Sequence, residues 1–228
     1  MKIDTKLCLN LSVSVLLACL LFTLGAVLVK VGGLTREIEA TRKSSEEMAL
    51  QVEITNSLIS TDTARLKVTE YLHHHAPNLS PLQCVSIGGA IMEGVKLYQI
   101  PASLTLAVIQ HESQYNPSAI SPKGAIGLMQ VLPVTALPYL REEGIHYTSI
   151  QTALLDPVTN IRVGLAYLDD LHTGMSPEPD YLYSLTAYNF GPVQAQALRA
   201  NTPVGPVSLA YATSILKAQK SIAPEGIR

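Results

Sequence analysis

The longest hydrophobic stretch of the chain lies near its N-terminus. Residues 7–29 carry no charged side chain and consist mostly of Leu, Val, Ala, Cys and Phe. As an α-helix, this stretch is long enough to cross a hydrocarbon core of roughly 30 Å. Two lysines precede it and Lys30 and Arg36 follow, so the nearly balanced basic flanks do not decide its orientation. We therefore predict an N-terminal membrane anchor, a transmembrane helix within residues 1–33.

Two other fates of this N-terminus compete with an uncleaved anchor. A cleaved signal peptide normally has a shorter apolar core and a small-residue cleavage site, and no convincing site of that kind follows. Residues 16–19, Leu-Leu-Ala-Cys, look like a loose lipoprotein signal, but ten mostly apolar residues follow Cys19, where a lipoprotein would turn polar. We favour the uncleaved anchor, and the other two fates stay open.

Residues 34–76 are rich in Glu, Arg, Lys, Thr and Ser, with apolar residues spaced by fours and threes. The apolar residues on one seam of such a helix are Leu34, Ile38, Met48, Val52, Ile59 and Leu66. Polar residues interrupt this seam at Thr41, Ser45, Thr55, Asp62 and Thr69. Forty helical residues would reach about 60 Å. We predict a solvated helical stalk, and weak self-association through the seam stays an alternative.

From residue 77 to residue 228 the pattern changes to short helical stretches separated by Pro, Gly and Asn. Ser80 before Pro81 is a typical helix start, and Ser103 is predicted to cap a helix from Leu104 to about Ser113. Further helices are predicted at residues 157–171, 181–188, 193–200 and 207–221, with loops at 118–130 and 174–179. Alternating strand patterns are nearly absent, so the fold class is mainly α.

Composition limits what this domain binds. The chain has a formal net charge of −2, and the part after residue 76 has eight Lys and Arg against ten Asp and Glu. Without a basic excess, and with no Trp and two Phe, nucleic-acid binding is not expected. Only Cys84 lies outside the hydrophobic N-terminus, which is too few for a disulfide or a cysteine zinc site. The run His73-His74-His75 points in several directions on a helix, so no metal site is expected there.

Glu112 ends the apolar helical stretch whose expected buried residues are Leu104, Ala107, Val108 and Ile109. A carboxyl group in partly apolar surroundings has a raised pKa and stays protonated near neutral pH, as general-acid catalysis requires. Glutamates at helix ends are common, so this context alone does not establish a catalytic role. His111 projects about 100° away on the helix and is interpreted as non-catalytic.

Four ordered segments carry a resemblance to a known family. Residues 112–119 read E-S-Q-Y-N-P-S-A, residues 121–130 read S-P-K-G-A-I-G-L-M-Q, and residues 187–192 read A-Y-N-F-G-P. Between them, Asp156-Pro157 opens a stretch that continues through Asn160, Gly164 and Tyr167. Together these segments resemble the lytic transglycosylases with a soluble-lytic-transglycosylase (goose-lysozyme-like) domain, over roughly residues 80–220.

The resemblance implies a lysozyme-like α-helical domain with a cleft that binds the glycan strands of peptidoglycan. It implies that Glu112 is the catalytic acid, and it requires no metal or cofactor. The substrate-binding residues that it implies are Ser113, Gly127, Leu128, Met129, Gln130, Tyr188 and Asn189. Since this substrate lies outside the cytoplasmic membrane, we expect an inner-membrane anchor with the catalytic domain in the periplasm.

Ordinary glycosidases need two carboxylates beside the scissile bond, and no second carboxylate here lies in a suggestive motif. Asp156 is better interpreted as a helix cap, and the pairs Asp169-Asp170 and Glu142-Glu143 are typical of solvated faces. The resemblance implies instead that the sugar's own C6 hydroxyl attacks C1 and leaves a 1,6-anhydro-muramic end. A hydrolytic muramidase, an inactive glycan-binding scaffold, and an enzyme serving an envelope or secretion machine stay open.

Overall fold

The computed structural model describes residues 5–142, 144–175, 181–200, 206–223 and 227. In chain order its helices are α1 (Thr5–His75), α2 (Pro81–Tyr98), α3 (Ala102–Ser113), α4 (Pro133–Glu142), α5 (Ile150–Leu155), α6 (Pro157–Met175), α7 (Leu182–Phe190), α8 (Pro192–Arg199) and α9 (Pro206–Ile222). The described residues contain no β-strand beyond two isolated bridges, Ile120 with Ile126 and Ile126 with Val131. The predicted mainly α fold class is confirmed.

The chain divides into two compact units, Met1–Ile59 and Ser60–Arg228. In the described part of the first unit, α1 is continuous through the predicted anchor and the stalk residues up to Ile59. From Leu16 onward the apolar side chains of this unit are exposed. The most apolar window of the helix has a mean hydropathy of 2.1 and no buried residue, so by length and composition it could cross a membrane. A signal sequence would pass the same test, and the anchor therefore stays a prediction.

The hydrophobic core of the second unit begins inside the last turns of α1. Val68, Tyr71 and Leu72 are buried there together with residues of the later helices. The sequence places these residues in the stalk, because their neighbours are mostly polar. A short stretch with a few apolar positions does not reveal whether another helix will cover them.

Helix α2 begins as predicted. Ser80 accepts a hydrogen bond from the backbone N–H of Gln83, whose side chain in turn accepts one from the Ser80 N–H. This reciprocal pair is a capping box, which satisfies two backbone donors at the helix start. Ile87 and Ile91 are fully buried on the helix that packs against α6.

Helix α3 lies at the centre of the core and packs against α9. Every residue from Ala102 to Ile109 is buried, which includes the four apolar residues expected to be. The prediction that Ser103 caps this helix is wrong. The helix begins at Ala102 after Pro101, and Ser103 is 2% exposed within the first turn. A serine near a helix start looks the same in the sequence whether it caps the helix or is buried in it.

Helices α4 and α5 were not predicted. Pro138 lies inside α4 and α5 has six residues, so neither shows a clear apolar period. Asp156 caps α6 as expected, because its Oδ1 accepts a hydrogen bond of 2.8 Å from the Thr159 N–H. Helix α6 extends past the predicted end at residue 171, so Gly174 and Met175 are helical; residues 176–179 of the predicted loop lie outside the described residues. Helices α7, α8 and α9 match their predictions within two residues at each end.

Candidate active site

The loop between α3 and α4 carries most of the predicted site residues and is fixed by its own backbone. The Ser121 N–H donates to the Ala125 carbonyl at 2.9 Å, and the Ala125 N–H donates to Ser121 Oγ at 3.0 Å. Ile126 and Val131 exchange two backbone hydrogen bonds of 3.0 Å. These bonds hold a turn over residues 121–125 and a second one over residues 126–131. The predicted irregular loop is confirmed, with a defined internal structure.

A buried asparagine on α6 holds this loop in place. Asn160 is fully buried, and its Nδ2 donates to the Ile126 carbonyl at 2.8 Å and to the Leu154 carbonyl at 2.9 Å. Its Oδ1 accepts a hydrogen bond of 2.8 Å from the Met129 N–H. All three hydrogen bonds connect the side chain to backbone groups, two of them in the loop and one at Leu154 of α5. Asn160 therefore fixes the position of the loop relative to α6.

Gly127 occupies a position that only glycine fits. Its φ is +80°, in the left-handed region. A Cβ there would lie 2.3 Å from Nδ2 of Asn160 and 2.6 Å from the Leu154 carbonyl oxygen. The next two residues, Leu128 and Met129, are fully buried in the core. This part of the loop thus packs into the core and holds the neighbouring site residue Gln130 in place.

Gln130 ends the buried part of the loop and faces a cavity. Its Nε2 donates to the Gly127 carbonyl at 3.0 Å and to the Ala119 carbonyl at 3.2 Å. Both amide protons are thereby engaged, which orients the side chain, and its Oε1 accepts no hydrogen bond from the described residues. Sequence analysis predicted that this residue contacts substrate, and its position fits such a contact.

The cavity beside Gln130 has a volume of about 330 Å³. The residues that line it are Glu112, Ser121, Lys123, Ala125, Gln130, Val131, Leu132, Thr135, Tyr167, Tyr188, Asn189 and Gly191. Among these lining residues, which belong to the described part of the chain, Glu112 is the only carboxylate and Lys123 the only cation. Volumes of this size suit small-molecule or oligomer subsites.

Glu112 lies at the end of α3 with one oxygen bound and the other open. The Tyr211 hydroxyl, on α9, donates a hydrogen bond to Glu112 Oε1. No described residue forms a hydrogen bond with the second oxygen, Oε2, which is accessible to solvent. Burial raises the pKa of Glu112, and the hydrogen bond from Tyr211 acts in the opposite direction. The predicted environment of this carboxyl group is therefore confirmed.

Two residues of α7 complete the wall facing Glu112. The Tyr188 hydroxyl donates to the Met129 carbonyl at 2.8 Å, and its ring lies 5.3 Å from that of Tyr167, measured between centroids. Burial, and then the nearby charge of Glu112, raise the pKa of Tyr188 well above its usual value. The phenol therefore stays neutral. Asn189 lines the cavity beside it.

The structure separates the predicted site residues into two groups. Glu112, Gln130, Tyr188 and Asn189 line the cavity. Four others do not line it: Ser113, which is partly exposed, and the buried loop residues Gly127, Leu128 and Met129. Ser113 Oγ donates to the Ile109 carbonyl at 3.1 Å, within its own helix. Motif order along the chain does not show which side chains of a loop point to the cavity and which into the core.

Several residues of the site were not predicted from the sequence, among them Tyr211, Ser121 and Lys123. Tyr211 is a tyrosine in a predicted helix, with nothing in its neighbourhood to connect it with Glu112. Ser121 and Lys123 belong to the segment that carries the resemblance, yet no role was predicted for either.

His111 also has a contact near the site, because its ring meets the Tyr211 ring edge-on at 4.8 Å and 79°. Burial lowers the pKa of His111. Within the described ranges, no three His, Cys, Asp or Glu side chains are grouped to hold a metal ion.

The family model of the transglycosylase SLT domain matches residues 89–204, which is just over half of the 228-residue chain. The chain belongs to this family. The matched region of the SLT domain contains Glu112, the loop over residues 116–131, Asn160 and the α7 residues of the cavity wall. Tyr211 lies beyond its C-terminal end.

Curated relatives of the SLT domain include the soluble lytic murein transglycosylase of Escherichia coli K12. It is 35% identical over 117 residues, which are 51% of this chain and 18% of the relative. The corresponding protein of Escherichia coli O157:H7 matches with the same values. The chain therefore spans about a fifth of the length of these curated relatives. The similarity concerns the SLT domain.

Two solved structures are similar in fold to part of this chain. The 70 kDa soluble lytic transglycosylase of Escherichia coli matches with a TM-score of 0.54 and 28% identity, covering 60% of this chain and 24% of that one. An inactive Glu→Gln mutant of the lytic transglycosylase Slt from Pseudomonas aeruginosa matches with a TM-score of 0.53 and 25% identity, over the same fractions. The predicted lysozyme-like helical domain is confirmed by these matches.

Proposed function

We propose that this SLT-domain chain cleaves the glycan strands of peptidoglycan as a lytic transglycosylase, with Glu112 as general acid and then general base. One observation carries the proposal: a half-buried carboxyl group with a raised pKa has one oxygen held by Tyr211 and the other open to a cavity. Family membership and the names of the Escherichia coli relatives support the choice of substrate.

In the first step, Glu112 protonates the oxygen between N-acetylmuramic acid and N-acetylglucosamine. Since Tyr211 occupies Oε1, the proton is carried by Oε2. The bond between C1 and that oxygen breaks, and positive charge develops at C1. Burial favours the protonated acid before this step. Positioned proton transfer of this kind contributes about 10²–10⁴-fold in rate.

In the second step, the C6 hydroxyl of the muramic acid attacks C1, and the ionised Glu112 accepts its proton. The hydrogen bond from Tyr211 stabilises the carboxylate at this stage. The ring closes to a 1,6-anhydro end and Glu112 is protonated again, so no water is consumed. An intramolecular attack benefits from a high effective molarity, and it needs no second carboxylate as nucleophile or base.

The wall of the cavity supplies groups that suit a sugar chain. We propose that Gln130 accepts a hydrogen bond from sugar through Oε1, which has no other partner among the described residues. Asn189 offers a second polar group, and the neutral Tyr188 borders the reacting region. Ser113, at the end of the same helix, is proposed to position Glu112.

The remaining predicted binding residues are proposed to act indirectly, by positioning residues that line the cavity. Leu128 and Met129 fill the space beneath the loop, and Gly127 lets the loop approach Asn160. Their effect on substrate is therefore expected to come from the position of Gln130. The Met129 carbonyl also accepts the hydrogen bond that orients Tyr188.

Two other functions of the same site compete with this proposal. A hydrolytic muramidase would use water in place of the C6 hydroxyl, and a glycan-binding scaffold would not cleave at all. The absence of a second carboxylate from the described lining residues favours transfer to the C6 hydroxyl over a two-carboxylate hydrolysis. The raised pKa of Glu112 favours an active acid over a scaffold.

Digestion of purified peptidoglycan separates these three functions. The full chain in detergent is incubated with sacculi, and the products are analysed by mass spectrometry. We expect 1,6-anhydro ends, which Glu112→Gln abolishes and Glu142→Gln, at an exposed position, leaves unchanged. Reducing ends would indicate a muramidase, and intact sacculi with folded protein would overturn the catalytic proposal. A Glu→Gln substitution also characterises the inactive Pseudomonas aeruginosa relative.

We further propose that residues 7–29 anchor the protein in the inner membrane with the SLT domain in the periplasm. The candidate span and the location of peptidoglycan support this placement. Envelope or secretion-machine proteins as partners, and self-association through the stalk, stay predictions from the sequence.

A further inference from the structure

Lys123 is the single cation among the described residues that line the cavity. Its side chain is exposed. It forms no hydrogen bond or ion pair with any residue in the described ranges. Most exposed lysines are simply solvated, but this one stands at the edge of the cavity that contains Glu112. Its charge is therefore available to a ligand in that cavity.

The backbone around Lys123 is fixed even though its side chain is free. The turn that carries it is closed by the hydrogen bonds between Ser121 and Ala125, and by a 2.9 Å bond from the Gly124 N–H to the Ser121 carbonyl. Gly124 has a φ of +81° and open space around it. The turn thus places the start of the lysine side chain at a defined point of the cavity rim.

The charge of Lys123 is not balanced within the cavity. Glu112 is the only lining carboxylate of the described chain, and its oxygen Oε1 is bonded to Tyr211 and not to Lys123. Burial raises the pKa of Glu112, which disfavours its charged form as a partner for the lysine. An uncompensated cation at the edge of a concave site favours binding of anions.

The anions of a peptidoglycan strand are carboxylates. The sugar rings are uncharged, and the lactyl group of each muramic acid ends either in a free carboxylate or in a stem peptide with carboxylates of its own. We propose that Lys123 binds a carboxylate of the substrate at the rim of the cavity and so favours cleavage of the strands that carry it. This inference rests on the proposed function, because it concerns the same cavity and the same substrate.

The test compares wild type with Lys123→Gln and Lys123→Arg, and uses Lys96→Gln as a matched control, since Lys96 is an exposed lysine that does not line the cavity. Three substrates are used: strands with stem peptides, strands from which an amidase has removed the peptides, and stem-bearing strands whose carboxylates have been amidated chemically. We expect Lys123→Gln to lower kcat/KM on stem-bearing strands about 2- to 5-fold, which is the size of an exposed ion pair. The effect should lie mainly in KM.

The other two substrates and the Lys123→Arg variant identify which carboxylate Lys123 binds. A loss confined to stem-bearing strands assigns the contact to a carboxylate of the peptide, and a loss confined to amidase-treated strands assigns it to the lactyl carboxylate. Equal losses on both show that Lys123 binds either carboxylate. Lys123→Arg should keep most of the activity, and amidated strands should be cleaved equally by wild type and Lys123→Gln. The same ratio of wild type to Lys123→Gln on charged and amidated strands would overturn the proposal.

A binding measurement keeps this test independent of catalysis. Glu112→Gln and the double variant Glu112→Gln/Lys123→Gln are sedimented with stem-bearing strands at low and high salt. We expect weaker binding of the double variant at low salt and a smaller difference at high salt, because an exposed ion pair is screened. Equal binding at low salt would contradict the role of Lys123. Failure of wild type to cleave any strand would instead contradict the proposed function.

Discussion

Tyr211 on α9 donates a hydrogen bond to Oε1 of Glu112 on α3, across 99 positions of sequence. The tyrosine is itself buried, and the rings of His111 and Phe190 meet its ring edge-on. Burial, followed by the charge of Glu112 and the hydrogen bond to it, raises the pKa of Tyr211 well above its usual value. The phenol therefore remains a donor throughout the pH range in which the carboxyl group titrates.

Removal of the Tyr211 hydroxyl should change the pH dependence of the reaction. In Tyr211→Phe the carboxylate of Glu112 loses its hydrogen bond, so its pKa rises further. The alkaline limb of the kcat/KM profile should move to higher pH, while kcat falls about 10- to 100-fold, because a hydrogen bond to a charged group contributes about 1.5–3 kcal/mol. The pH profile of muropeptide release measures this. Tyr147→Phe, at an exposed position, serves as control, and an unshifted limb in Tyr211→Phe would contradict the coupling.

Two glycines of the site loop form a matched pair for a stability test. Gly124 and Gly127 have nearly the same φ, +81° and +80°, but an added Cβ meets open space at the first and Asn160 and Leu154 at the second. Gly124→Ala should cost about 1–2 kcal/mol from backbone strain alone. Gly127→Ala should lower Tm at least twice as much and reduce activity, because the loop must leave Asn160. Thermal unfolding followed by tyrosine fluorescence measures the difference, and equal losses would show that the loop relaxes freely.

The raised pKa of Glu112 predicts how stability depends on pH. A carboxyl group whose pKa is higher in the folded than in the unfolded state binds its proton more tightly when folded. Its contribution to stability is therefore complete below the usual glutamate pKa of about 4.3 and is lost as the pH rises through the folded value. Glu112→Gln does not titrate, so its Tm relative to wild type should increase over this interval. A constant difference in Tm between wild type and Glu112→Gln from pH 4 to pH 8 would contradict the shift.

Fractionation of cells tests the predicted anchor. The full chain should remain with membranes after washes in high salt and alkaline carbonate, and removal of residues 1–33 should release it. A phosphatase fused to the C-terminus should be active, since it would lie outside the cytoplasm. A mature N-terminus beyond residue 29 would indicate a signal peptide, a lipid on Cys19 would indicate a lipoprotein, and a cytoplasmic reporter would overturn the orientation.

Cysteine cross-linking tests self-association through the stalk. Ile38 and Val52 lie on the apolar seam and are 65% and 59% exposed, while Leu50 is 58% exposed but lies off the seam. With Cys8 and Cys19 replaced by alanine, cysteines at the two seam positions should form disulfide-linked dimers under mild oxidation more readily than a cysteine at position 50. Equal cross-linking at the three positions would indicate random encounters in the membrane.

Local signals in the sequence predicted the features that depend on neighbours along the chain. The cap at Ser80, the cap at Asp156 and the apolar helix that ends at Glu112 were all predicted, because each is formed by residues within a few positions of one another. The errors have the same cause, because a local signal does not report contacts with distant parts of the chain. Ser103 resembles a cap but is buried, and α5 is too short to show a period.

The composition and motifs of the sequence by themselves determined the mainly α fold class, the long apolar N-terminus and the candidate acid Glu112. The tertiary structure alone decided that Tyr211 holds this acid, that Lys123 shares its cavity, and that Leu128 and Met129 lie in the core. These relationships arise where α9 packs on α3 and where the loop rests on Asn160. Distances between residues so far apart along the chain depend on packing, which a local pattern of polar and apolar positions does not encode.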